Sequence, residues 1–435
     1  MTQEQHNGPM VDLEASTVFM IGGLAIAVGF VANLLFNRLK APDALILMLF
    51  GFLVGPGALG LIGSDLKNIV DDLGPFVSAL ALAFIMFNGG LELDLKQVVG
   101  AARSTTLLAV GGFGLIVTTV FCVLILGLGF RWEYALLGGV VFGSTSAPTV
   151  IPMIMRMACS DRIKTILTLE SAISDVIVVG LGTAIVIFLV SVGSNLMDTA
   201  LGLLTSTATA FGVGLLSSLV WAKLMPKLQY FKYFYILTLG VIILLFALCE
   251  IIAPYGGGVI VVLVFGLVLN NAHYVHGMLS RSFRKPMLNA EFQVLNEETA
   301  FFVKVFFFTF LGLYVSTIDF QAIYIVFGVV IFLVLLLDRW VMTNVVRDDA
   351  DLDEVETLMI RTMFPKGLCT VVTALLPLSY GLDLGAAQEQ LMGLVALVVV
   401  LTTLLSSIGA IWAERMLCVR RPGQAERTNW IEPEF

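Results

Sequence analysis

Charge is scarce in this chain. Asp, Glu, Lys and Arg make up 13% of 435 residues, while 58% are hydrophobic and mean hydropathy is +0.98. A soluble domain carries about a quarter charged residues, so a water-soluble protein is excluded and a multi-span membrane protein, in contact with lipid, is expected. The net charge of −8 says little about partners, because in a membrane protein what matters is where the charges lie, and no nucleic-acid partner is expected. Histidine is nearly missing: His6, His273 and His276 lie in the tail or a loop, where they are expected to be solvated. With no HExxH run and no serine–histidine pairing inside apolar stretches, hydrolase chemistry has no foothold, and no enzyme is expected. The five cysteines, Cys122, Cys159, Cys249, Cys369 and Cys418, are scattered singly, which argues against disulfides, zinc or any other cofactor. The opening MTQEQHNGPMVDLEAS lacks the basic region of a cleaved signal, so the first apolar stretch is expected to be a retained span. There is no low-complexity tract and no linker beyond about 25 residues. Residues 1–435 therefore read as a single transmembrane domain with no soluble domain.

What the chain has in abundance is long apolar runs. Counting stretches of about 20 residues gives thirteen spans, at about 16–36, 43–62, 70–90, 104–130, 134–155, 165–191, 198–222, 233–253, 257–271, 296–316, 321–346, 357–379 and 388–413. The basic residues test this count. With the N-terminus outside, the inward connections receive Arg38, Lys40, Lys96, Arg103, Arg156, Arg162, Lys164, Lys223, Lys227, Lys232, Arg281, Arg284, Lys285, Arg347, Arg361, Arg415, Arg420, Arg421 and Arg427. Only Lys67 and Arg131 fall outside. An outside N-terminus and a cytoplasmic C-terminus in a bacterial-like inner membrane follow. The acidic run RDDADLDEVE, residues 347–356, is expected to be a solvated loop.

Two spans carry helix-interrupting chemistry. The fifth reads VVFGSTSAPTVIPMI, with Pro148 and Pro152, and the twelfth reads RTMFPKGLCTVVTALLP, with Pro365 and Gly367. Six-span units over spans 1–6 and 8–13, in halves of about 16–191 and 233–413, have opposite orientation, and each is broken in its fifth member. Backbone freed at bilayer depth must find partners or line a watery cavity.

The sixth span contains LTLESAISDVIVVG, residues 168–181. At helical spacing Ser171 and Asp175 share a face, as do Glu170 and Ser174 on the adjoining one. A carboxylate at this depth must meet a cation, take a proton or face water. One acid that alternates between proton and metal ion is the minimum chemistry of a cation/proton exchanger. Hard monovalent cations want oxygen ligands. Asp175, Ser171, Ser174, Thr145 and Ser146 supply them, together with freed carbonyls of the fifth span. Glu170 needs its own partner, and Arg339, Lys304 and Lys366 are the intramembrane cations available. Asp338 could neutralise Arg339 locally, and Lys304 and Lys366 could snorkel.

PDALILMLFGFLVGPGALGL, FNGGLELDL, GSTSAPTVIPMI, LESAISDV and EETAFFVKVFFFTFLGL occur in this order within residues 16–415. Together they resemble the cation:proton antiporter family, the prokaryotic NhaP-like sodium/proton exchangers related to the sodium/hydrogen exchangers. The resemblance implies an all-α antiporter fold of about 13 helices, built as inverted six-helix repeats with two crossing broken helices. It also implies a homodimer in which one part moves like an elevator against a scaffold. It gives Asp175 the exchange role, with Ser171 and Glu170 beside it, and pairs Glu170 with Arg339. The family's Thr-Asp-Pro becomes Thr145, Ser146, Ala147 and Pro148, so one acidic ligand is missing. An uncharged residue before the single acid, here Ser174, goes with electroneutral exchange in that family. The expectation is a secondary antiporter that exchanges sodium or potassium, and conceivably lithium, for a proton one for one, with Asp175 the metal ligand. A sodium-coupled organic-anion symporter and a cation channel remain the rival readings.

Overall fold

The structure is a computed structural model that describes residues 15–39, 43–59, 66–92, 103–155, 157, 159–190, 196–228, 230–254, 256–272, 290–318, 321–348, 350–382 and 384–420. His6, His273, His276 and the basic run Arg281, Arg284 and Lys285 lie outside these residues. The helices are α1 (Ala15–Leu39), α2 (Asp43–Val54), α3 (Leu66–Glu92), α4 (Arg103–Leu128), α5 (Trp132–Val141), α6 (Ala147–Met155), α7 (Asp161–Val190) and α8 (Leu196–Leu228). They continue with α9 (Phe234–Ile252), α10 (Gly257–Asn270), α11 (Ala290–Ser316), α12 (Ala322–Arg347), α13 (Glu354–Thr362), α14 (Leu368–Ser379) and α15 (Ala386–Arg420). Each expected span coincides with one helix or, for the fifth and twelfth, with the pairs α5/α6 and α13/α14.

Helix is the form a lipid-embedded chain of this composition must take, because only a helix satisfies every backbone group within its own segment. Periodicity then selects the inner face. α9 buries Phe234, Tyr235, Thr238, Ile242, Leu245 and Cys249, at steps of about one turn, and leaves Ile236, Leu237, Leu244 and Ile251 exposed to lipid. The second span is shorter than its apolar run: α2 ends at Val54, where Gly55 and Pro56 open a turn that brings Leu59 back to the Leu53 carbonyl. The acidic run 347–356 has a local task as well. Asp353 and Glu356 form a capping box that starts α13.

The helices pack as two sets. α1, α2, α3, α8, α9, α10 and α11 contact one another, as do α4–α7 and α12–α15, and the main bridge between the sets is α14 on α3. The inverted repeat shows in the first set. α2 crosses α11 at Gly51 and Gly312, and α10 crosses α3 at Gly266 and Gly90; at each of the four, a Cβ would overlap the opposing backbone. Exchanging span 2 with span 9 and span 10 with span 3 maps one crossing onto the other, and both short helices, α2 and α10, fall on equivalent positions.

Candidate ion-binding site

The two breaks meet in the second set. Between α5 and α6 the chain leaves helical geometry over 142–146, and between α13 and α14 over 363–367. They are bonded to each other: the Ser146 amide donates to the Pro365 carbonyl at 2.8 Å, and Ser144 and Thr370 hydroxyls lie 3.0 Å apart. Gly367 is required by this approach, since a Cβ there would overlap Ser146 Oγ. The prolines do not all mark the break. Pro148 sits in the first turn of α6, where a missing amide costs nothing, and Pro152 lies inside α6. The fifth span is interrupted over 142–146, which includes the Gly143 and Ser144 that loosen the turn, and Pro148 and Pro152 both lie beyond it within α6.

A broken pair of crossing helices presents two carbonyl ends and two amide ends at mid-bilayer, and each needs an opposite charge. The α13 carbonyl end receives Arg339 of α12, whose Nε donates to the Ile360 carbonyl at 2.7 Å and whose Nη2 donates to the Met363 carbonyl at 3.4 Å. The carbonyl side of the fifth-span break receives Lys366, whose Nζ donates to the Ser144 carbonyl at 2.6 Å. The amide end of α6 receives Asp175, whose Oδ2 accepts from the Ala147 amide at 3.1 Å.

Of the three cations open to Glu170, Arg339 makes the bidentate contact: Nη1 and Nη2 donate to Oε1 and Oε2 at 3.0 Å each. Thr145 Oγ1 donates to the same Oε1 at 2.9 Å. Lys366 is spent on the Ser144 carbonyl, and Lys304 lies across the cavity with Nζ 5.9 Å from the Phe301 ring centroid. Asp338 does not neutralise Arg339 locally; its Oδ2 accepts from Thr119 of α4 at 2.5 Å. Among the oxygen donors, Ser171 Oγ bonds the Thr168 carbonyl, and Ser174 Oγ both donates to the Ser171 carbonyl and accepts the Thr145 amide, each at 3.0 Å. Ser146 Oγ pairs with Thr149 Oγ1 at 3.1 Å. These hydroxyls retain lone pairs, but their first use is to hold the break in shape.

Asp175 differs from Glu170 and Asp338, whose carboxylates are bonded to Arg339 and Thr119. It is 4% exposed, and its Oδ1 is buried without a hydrogen-bond partner among the described residues. Yet it lies on the wall of a cavity of about 630 Å³ that runs between the two helix sets, with Ala147, Pro148 and Leu368 beside it. Toward the mouth the lining becomes polar, with Asn88, Asn270, Gln293, Asn296 and Glu297. Cys369, Ser144 and Lys366 are its electrostatic neighbours within the protein. Sequence reasoning missed Thr370 and Thr402, which fasten the breaks through Ser144 and the Lys366 amide, and the carboxamides of the cavity. An uncharged polar residue in an apolar helix leaves no signal strong enough to single it out.

Comparison with known proteins adds to this geometry. The family described as "Sodium/hydrogen exchanger, transmembrane" matches residues 24–413. The chain is 30% identical over 216 residues to the K(+)/H(+) antiporter NhaP2 of Shewanella oneidensis, covering 49% of this chain and 36% of the relative. It is 27% identical over 304 residues to Na(+)/H(+) antiporter 1 of Methanocaldococcus jannaschii, covering 67% of this chain and 66% of that protein. The matches thus span between about a third and two thirds of the length of these relatives. In three dimensions it resembles the sodium proton antiporter MjNhaP1 of Methanocaldococcus jannaschii at pH 8, with a TM-score of 0.72, 20% identity, and 90% and 98% of the two chains covered. A second MjNhaP1 structure, from electron microscopy, gives the same TM-score at 23% identity. At these identities the likeness establishes the fold.

Proposed function

Since the chain belongs to the sodium/hydrogen exchanger family, we propose that it exchanges a monovalent alkali cation for a proton across the membrane, using Asp175 as the carrier of either. The observation that carries this reading is the state of that carboxylate: one oxygen held by the α6 amide end, the other buried at the wall of the cavity with, among the described residues, no close hydrogen bond and only the Cys369 thiol and Ser144 hydroxyl beside it. A buried oxygen of that kind is costly unless something fills it. A proton fills it by making a carboxylic acid, and a dehydrated cation by direct coordination. Both cannot occupy it together, and that exclusion is antiport.

The ligand set favours a hard, singly charged ion. The donors proposed for the ion beside Asp175 are hydroxyls and carbonyls of Thr145, Ser146, Ser171 and Ser174, with Ser144 its neighbour and Glu170 committed to Arg339. Ser174 in place of a second acid supports one cation for one proton. The relatives include a K(+)/H(+) and a Na(+)/H(+) antiporter, and the proposal covers both ions. It also places the protein in a bacterial-type inner membrane as a homodimer, with the N-terminus outside and the cavity mouth toward the cytoplasm. The last point rests on the basic connections, which gather at the end of the molecule where α3 finishes and α11 begins.

The test is gradient dissipation in inverted vesicles on addition of sodium or potassium. Asp175→Asn is expected to lose exchange while assembly is retained, and Asp175→Glu to keep part of it. Continued dissipation by Asp175→Asn would refute the assignment.

A further inference from the structure

Five charged side chains are nearly sealed from solvent among the described residues: Glu170, Asp175 and Asp338, 3–4% exposed, and Arg339 and Lys366, at 6% and 1%. All lie on the set of helices that carries the breaks. Asp338 adjoins the Glu170–Arg339 pair across a small void lined by all three side chains. Lys366 is within electrostatic reach of the other four groups. Three acids against two bases leave one negative charge when Asp175 is empty, and none when it holds one proton or one monovalent cation.

We propose that Asp338 is the charge-balancing residue of the exchange cycle, the group that makes the buried cluster neutral only when Asp175 is loaded. The inference rests on the exchange reading above and deepens it. Arg339 and Lys366 are needed at the carbonyl sides of the two breaks. Glu170 pairs with the first; the second has Glu170, Asp175 and Asp338 as acidic neighbours, and Asp338 is the acid that brings the cluster to one more acid than base. Closing the cavity around an empty Asp175 would strand a net charge in low dielectric, which is strongly disfavoured. Closing it around a loaded Asp175 strands none. A divalent ion would leave one excess positive charge and is rejected on the same ground. Lys304 and Glu297 of α11 stand outside this balance, because they face the cavity, where water and ions screen them.

The expected consequence is specific. In Asp338→Asn the empty cluster is neutral and the loaded one carries an excess positive charge, so only the empty protein can switch and neither cation nor proton is carried. Purified protein in proteoliposomes at equal pH on both sides would be assayed for uptake of labelled sodium and rubidium, at zero and at inside-negative potential. Wild-type uptake is expected to proceed at either potential, whereas Asp338→Asn uptake is expected to fall by about tenfold or more at both. Asp338→Asn uptake at the wild-type rate would overturn the proposal. Lys366→Gln provides an arm that survives misfolding of that variant. Alone it leaves a second unneutralised negative charge and is expected to stop exchange; combined with Asp338→Asn it restores the balance and the coupled, potential-independent exchange. A double variant no more active than Lys366→Gln would equally overturn the proposal. If wild-type protein exchanged neither ion, the exchange reading itself would fall, a result distinguishable from either of these.

Discussion

The Glu170–Arg339 contact is the strongest polar interaction in the broken-helix region, and its value lies in what each partner would become alone. Arg339 is 6% exposed and divides its donors among Glu170 and the Ile360 and Met363 carbonyls. Breaking a buried pair by removing one partner costs about 3–5 kcal/mol, because a charge is left uncompensated. Glu170→Gln is therefore expected to lower the thermal midpoint in detergent sharply. Arg339→Lys keeps the charge and gives up the parallel fork, so its loss should be intermediate. Thr145→Val removes a single hydrogen bond to Glu170 Oε1, of about 1 kcal/mol. A ranking other than Gln, then Lys, then Val in a melting series would remove the ion pair from its structural role.

At the level of elements, the breaks divide into what the sequence displayed and what only the fold could supply. The composition located both interrupted spans, and the polar stripe of α7 pointed to Asp175 and Glu170. Prolines were a poorer guide than the GSTS run: Pro152 is tolerated inside α6, as Pro377 is inside α14. Which of three cations would face Glu170 depends on the rotation of α12 against α7, and no local pattern encodes that. The closeness of the two breaks was equally hidden, although Gly367 carried the trace of it. A substitution comparison tests whether that closeness matters. Gly367→Ala would drive a methyl into Ser146 and should destabilise the protein and reduce exchange. The double variant with Ser146→Gly, which removes the blocking side chain, should recover part of the loss. Gly240→Ala, mid-helix in α9 with nothing within 4 Å of the added carbon, should be neutral or slightly stabilising. Equal effects at positions 367 and 240 would mean that the breaks do not need to touch.

On the scale of the whole molecule, the cavity runs into the contact between the two helix sets from one end. Its mouth is framed by Asn88, Gly89 and Leu91 near the end of α3, Asn270 at the end of α10 and Gln293 near the start of α11. At the opposite end of α14, Tyr380 donates to Glu250 of α9 at 2.5 Å and the sets are joined. A path open at one end and closed at the other is what alternating access requires of a resting state. The direction proposed for it rests on charge. Arg162, Lys164, Lys223 and Lys227 lie at helix ends on the mouth side, and basic residues are retained on the cytoplasmic face. Gln293 is exposed at that mouth, in the first turns of α11. In a variant with the five native cysteines replaced by serine, Gln293→Cys should react with a membrane-impermeant maleimide in inverted vesicles and stay unmodified in right-side-out ones. The reverse labelling would invert the whole topology, and with it the side from which Asp175 is reached.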